Sequence, residues 1–387
     1  SGGESYNQIG HGGMRWAGDL SGNIDVEATA GSVKFASGGG GGGSTWTSYS
    51  LLGHGGYSNG AVGVKEGTID VRAGQDIIFD ATAGVDGEFA QLGHGGRNHD
   101  GNIGVATSAD ITVNAGRNLA FSSGTNATDG EFSYSQLGHG GLATNGNFTG
   151  AIDVTVGGTT TFTAGTRSEN YTQLGHGGRV GGGTHTGSIS LDSTGAINFL
   201  GGTGGAGVRG YAQLGHGGDQ NNGGTGNTGD ISVESGGDIN FLAGDQDRNY
   251  AHLGHGGVDT DGNHSGNIHV GSGGNVVFGA GTGNGNWKHA QLGHGGNESQ
   301  GNHSGDICLH ADGSVTITAA RGAAAAGSRD YAQVGHGGYN ADGNHSGYVT
   351  VTSGSVGISV TGGSDNNDQY GQIGHGGLNV DGNLAGS

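Results

Sequence analysis

The tetrapeptide Gly-His-Gly-Gly recurs ten times along 387 residues. Its histidines are His11, His54, His94, His139, His176, His216, His255, His294, His336 and His375, with successive separations of 43, 40, 45, 37, 40, 39, 39, 42 and 39. A period of about 40 residues is the signature of a stacked repeat architecture rather than of a fold with a single closed core. The 98 glycines would point to low complexity in a chain without a period; here they belong to the repeat. Proline is absent, which excludes collagen and suits strands whose every N–H must pair with a neighbour.

One unit, from Gly229 to Ser265, reads GDISVESGGDINFLAGDQDRNYAHLGHGGVDTDGNHS. Three of its segments alternate apolar and polar residues, the period-2 pattern of a strand. Ile231 and Val233 mark the first, Ile239, Phe241 and Ala243 the second, and Ala251 and Leu253 the third. Equivalent residues return in the other units: Ile69/Val71 and Ile189/Leu191 in the first segment, Phe79, Phe121, Phe162 and Phe199 in the second, Leu92, Leu137 and Leu174 in the third. Coils that stack turn each such position into a ladder. The expected fold is therefore all-β, a right-handed parallel β-helix (β-solenoid) of about ten repeats of about 40 residues with three short strands each. Each unit is either one wide coil or two coils of about 20 residues; one coil is favoured because it stacks Phe on Phe and Leu on Leu. Ten layers at about 4.8 Å make a rod of about 45–50 Å. Insertions such as the six glycines Gly38–Gly43, and the segment after each Gly-His-Gly-Gly, are expected to project as loops. The whole of 1–387 is expected to be one elongated domain, an interior slice of a longer array, with no signal peptide at Ser1.

Composition narrows the partners. Thirteen Lys and Arg against 33 Asp and Glu give a formal charge of −20, so neither nucleic acid nor an anionic membrane is an expected partner. The longest strongly apolar run, Ala323–Ala326, is far too short for membrane insertion. One cysteine, Cys308, leaves no intrachain disulfide. It lies between Ile307 and Leu309 and is expected to face outward.

The combination of GDI-x-V, a Gly-Gly step, I-x-F-x-AG, YAQLGHGG (Tyr211–Gly218 and Tyr331–Gly338) and DGNHSG resembles the filamentous-haemagglutinin-like exoproteins of Gram-negative bacteria, which are exported by two-partner secretion. The resemblance covers Gln8 to Gly386. It implies a β-helix secreted to the cell surface or beyond and a part in adhesion. The family's secretion domain and C-terminal effector have no counterpart in these residues.

Alternation places Ala251, Leu253 and His255 on one face. The ten motif histidines are then expected to form an inward structural ladder of neutral imidazoles, each donating one N–H to a carbonyl, with Gln213 and its equivalents pointing outward. A metal column is the alternative reading. The corners Asp259-Thr-Asp261-Gly-Asn263 and Asn340-Ala-Asp342-Gly-Asn344 look like partial calcium loops. They make Asp259, Asp261, Asn263, Asp342 and Asn344 candidate metal ligands, with Ca²⁺ the one cofactor considered; simple turns are the plainer reading. No catalytic or cofactor-binding residue is expected, and outward acids such as Asp25, Asp70, Asp153, Asp230 and Asp306 read as solubilising charges.

The expected function is structural: an extracellular fibre or stalk segment of a bacterial surface adhesin, not an enzyme. Its loops would contact a host or cell-surface glycan or protein, and its coil edges would favour self-association into filaments. The alternatives are a metal-stabilised matrix or surface-layer protein, with calcium or a His-bound metal, and, further off, a polysaccharide-active β-helix enzyme.

Overall fold

The computed structural model describes residues 5–38, 48–82, 86–124, 131–203, 208–222, 224–319, 328–354, 356–363 and 368–386. From residue 39 on, the glycine run lies outside them, as does Ala323–Ala326. The described residues contain strands and turns and no helix. Each strand pairs in parallel with its equivalent one repeat away, so each unit of about 40 residues is one layer of a parallel β-solenoid.

Three principal strands make up a turn. In the central unit they are Ile231–Ser235, Ile239–Leu242 and Tyr250–Leu253. Their stacks form sheets of nine, nine and ten strands. The register is strict. Ile231 sits over Ile268, Val233 over Val270, Phe241 over Phe278 and Leu253 over Leu292. These residues are buried and share one core with the alanines of the third strand, such as Ala212, Ala251 and Ala290. Gly-Gly steps such as Gly236-Gly237 turn the chain between the first two sheets, too tightly to admit a side chain: a Cβ at Gly236 would lie 2.3 Å from the carbonyl oxygen of Thr194 in the preceding layer.

Two shorter strands complete the turn. Gly256–Val258 and His264–Ser265 belong to parallel ladders of nine and seven strands. The segment after Gly-His-Gly-Gly is therefore a built part of the rod, where the sequence pattern predicts a projecting loop. Its two glycines hide it from any search for alternation, because a Gly-Gly-x strand has one side chain to show.

This return segment explains a second departure. Gln213 and its equivalents Gln91, Gln136, Gln173, Gln291 and Gln333 are fully buried, not outward. The third strand is covered on both faces. Its Ala/Leu face meets the main core. Its Tyr/Gln face meets a second, smaller core in which Tyr134, Tyr171, Tyr211 and Tyr250 pack with Leu142 and Val258 of the Gly-Gly strand. The cross-section has two lobes with the third strand as the shared wall.

Candidate functional site

The motif histidines form one continuous stack. Neighbouring rings lie 4.6–5.0 Å apart and within 12° of parallel from His11 to His375. From His54 to His375 both nitrogens of each ring are committed. Nδ1 accepts the backbone N–H of the motif histidine one layer earlier at 2.9–3.1 Å, as in His216 N–H to His255 Nδ1. Nε2 donates to the carbonyl just before the first strand at 2.6–2.9 Å: His94 to Gly67, His139 to Ala109, His176 to Gly150, His216 to Gly187, His255 to Gly229. A nitrogen that accepts from an amide carries no proton, and one facing a carbonyl must carry it. The tautomer is thus fixed as Nε2–H along the column. From His54 onward neither nitrogen offers a metal a free lone pair.

Burial holds the interior rings of the column neutral. The pKa of His94 is pushed down to about 3 by loss of solvent, against a partial rise from its bond to Gly67; His336 is likewise pushed to about 3. His139, His176, His216, His255 and His294 lie well below the usual imidazole range, from burial first and then from neighbouring histidines. The glycines flanking each histidine let adjacent layers close to this distance. Gly215, at φ +145°, is one; a Cβ there would meet the Gly254 carbonyl oxygen at 1.8 Å.

The buried glutamines seal the same corner. Gln173 Nε2 donates to the carbonyls of His176, Gly215 and Gly217 at 3.2, 3.0 and 3.2 Å. Gln333 repeats this with His336, Gly374 and Gly376. Tyrosines close the circuit: Tyr250 donates to Gln213 Oε1 at 3.3 Å and Tyr331 to Gln291 Oε1 at 3.2 Å. Glycine carbonyls that a side-chain-free corner cannot cover are thereby satisfied. Gln173→Leu keeps the bulk and removes the donor. The His176 carbonyl keeps the Gly217 N–H at 2.9 Å, but losing the amide donor from the Gly215 corner is expected to destabilise the chain by about 1–3 kcal/mol, read as a lower denaturant midpoint at unchanged slope. A midpoint equal to the parent's would show that the seal carries no weight.

A second histidine column was not singled out from sequence. His264, His303 and His345 stack at 5.1 and 4.9 Å in the short ladder, fully buried. His185 and Asn227 occupy the same column in earlier layers, and His185 Nδ1 lies 2.8 Å from Asn227 Oδ1. The recurring Gly-Asn-His-Ser run was the available signal.

The candidate calcium ligands stack along the axis instead of converging. The Oδ1 atoms of Asp261, Asn263, Asp342 and Asn344 accept the backbone N–H groups of Gln300, Asn302, Asp381 and Asn383 in the next layer at 3.1, 2.9, 2.8 and 3.0 Å. Asp259 faces Arg209 and Arg248 at 3.5 and 3.6 Å. It belongs to a ladder of alternating charge that also includes Arg179–Asp219 at 3.0 Å and Arg248–Glu298 at 3.4 Å. Among the described residues no three His, Cys, Asp or Glu side chains stand close enough together to hold a metal ion as they are oriented. Cys308 is exposed on the first-strand sheet. No protein-family model, curated protein or solved structure matches this chain.

Proposed function

We propose that this chain is a rod segment of an extracellular bacterial fibre or stalk, the shaft of a surface adhesin. It catalyses nothing itself; its corners and insertions are free to contact a glycan or protein on another cell. One observation carries this reading: the histidine column and the apolar ladders run through successive layers with equivalent backbone and apolar partners, and buried glutamines bridge the corner in most of them. A repeated bond set serves length and stiffness, whereas an active centre needs one unrepeated constellation. The family resemblance of YAQLGHGG supplies the adhesive and secreted part of the proposal.

Electron microscopy of surface material from cells producing the parent chain tests it. Thin filaments with a layer repeat of about 4.8 Å along the axis, lost together with cell attachment when the repeat region is deleted, are the expected result. Discrete short particles, or attachment unchanged by the deletion, would overturn it.

A further inference from the structure

One step of the outer lobe departs from the repeat. At four steps of the stack a tyrosine hydroxyl donates to the side-chain oxygen of the glutamine one layer earlier: Tyr134 to Gln91, Tyr250 to Gln213, Tyr331 to Gln291 and Tyr370 to Gln333, at 3.2–3.4 Å. His252 stands in the glutamine column, in register with Gln213 and Gln291. His289, one layer later, stands in the tyrosine column, in register with Tyr250 and Tyr331. At this step both partners of the bond are therefore histidine, and both are fully buried.

His289 keeps the orientation of the ring it replaces. It stacks 4.8 Å from Tyr250 and 4.9 Å from Tyr331, within 5° of parallel. It is shorter and has no hydroxyl. The hydroxyls of Tyr250 and Tyr331 come within 3.0 and 2.8 Å of where a Cβ on Gly257 and on Gly338 would stand. At Gly296, the equivalent glycine in the layer of His289, the three nearest atoms all belong to the Gly257 backbone, out to 3.2 Å. His252 meets His289 edge-on with ring centroids 6.2 Å apart, and no hydrogen bond joins them. His252 Nε2 lies 2.8 Å from the Gly293 carbonyl oxygen and so carries the proton, which leaves Nδ1 as a lone pair. A third exchange falls in the same place. Asn297 is in register with Val258, which packs with Tyr250 in the outer core. Five buried atoms on these three side chains have no hydrogen-bond partner in the chain: His252 Nδ1, both ring nitrogens of His289 and both amide atoms of Asn297. The His289 ring leans on the Trp287 carbonyl, but without the geometry of a hydrogen bond.

We propose that His252, His289 and Asn297 form an internal binding site for ordered water, which takes over the bond that tyrosine and glutamine make directly in other layers. Buried polar groups are paired as a rule, and internal water is the partner where the chain supplies none. A neutral ligand suits the groups around it. Two of them are imidazoles that burial keeps unprotonated, His252 with its pKa pushed down to about 4 and His289 well below the ordinary range; the third is an amide. A water donates one hydrogen to His252 Nδ1 and the other to Asn297 Oδ1, and accepts from Asn297 Nδ2 or from the protonated nitrogen of His289. Those are the roughly three bonds a buried water makes. Any one of the three exchanges alone would strand its own polar atoms; together they enclose one ligand.

Oxygen-17 and deuterium relaxation dispersion on the folded full chain counts its long-lived internal waters and tests the site. The double variant His252→Gln, His289→Tyr restores the repeat's own pair. It should melt at or above the parent's temperature and hold fewer long-lived waters. In the parent chain, the side-chain amide protons of Asn297, assigned by their loss in Asn297→Val, should cross-relax with bound water. This second measurement decides the question even where the double variant does not fold. An equal count of long-lived waters in parent and folded double variant, or Asn297 amide protons without contact to water, would overturn the assignment.

Discussion

Lowering the pH from 8 to 5 is expected to lower the melting temperature by at least about 10 °C. Fifteen of the 19 histidines have pKa values below that of free imidazole, with burial the first cause in every one. Well above pH 6.5 each of these histidines is neutral in both the folded and unfolded chain, and their contribution to stability is flat. Below it the unfolded chain binds protons that the fold refuses, down to the folded values of about 3 at His94 and His336 and about 4 at His99, His185, His252 and His264. Stability contributed by the neutral rings is thus complete above pH 6.5 and is lost as pH falls from there toward 3. Each such ring withdraws up to about 1.4 kcal/mol per pH unit, and a chain of 387 residues loses about 1 °C per kcal/mol.

Opposing groups are few. Asp330, raised to about 6 by burial beside Lys288, gains relative stability as pH falls through that value, and Asp219 acts in the same direction. Asp76, lowered to about 2 chiefly by Arg117, matters only below the ordinary carboxylate range. Circular dichroism melts at pH 8, 6.5, 5 and 4 measure the effect. Equal melting temperatures at pH 8 and pH 5 would mean that the histidines are not held neutral inside the rod. Since each layer touches only its neighbours, acid should open the stack from its most hydrated layers inward, and transitions followed by different probes need not coincide.

The second large effect belongs to the first glycine of the motif. Gly215→Ala places a methyl group 1.8 Å from the Gly254 carbonyl oxygen, in a backbone conformation of φ +145° that side chains rarely adopt. About 1–3 kcal/mol of backbone strain and about 1–3 kcal/mol of overpacking are expected together. The neighbouring ring bond, His216 N–H to His255 Nδ1 at 3.0 Å, stretches with the layer. Gly31→Ala is the control. Gly31 has ordinary φ and nothing within 4 Å of a built Cβ, so its effect should stay within about 0.5 kcal/mol. Denaturant midpoints of the two variants decide the matter. Similar values would show that the corner yields, and that close approach is not why glycine stands there.

Much of this was legible in the residues themselves. Ile231, Val233, Ile239, Phe241 and Leu253 alternate cleanly, and their recurrence fixed the period, the strands and the single coil per repeat. The outer lobe was not legible in that way. Tyr211 and Gln213 form the polar side of an alternating strand, and a polar side reads as wetted unless something is known to cover it. What covers it is Gly217-Gly218-Asp219 and its equivalents, whose glycines give no periodic signal. The constancy of Tyr and Gln from repeat to repeat was the clue, since a solvated face has no need of it. The histidine column was legible as to position, but not its tautomer, because the carbonyl that receives Nε2–H lies some 30 residues away in sequence, as with His139 and Ala109.

The strict register has a consequence for how such a chain can change. Each bond set refers only to the layers directly above and below. Duplication or loss of one whole unit lengthens or shortens the rod by a single step of about 4.8 Å and leaves every column continuous. Adding or removing one residue inside a strand instead swaps the faces of all that follows in that strand. Length is therefore a counted quantity in this fold, open to adjustment by recombination between near-identical units and closed to gradual drift.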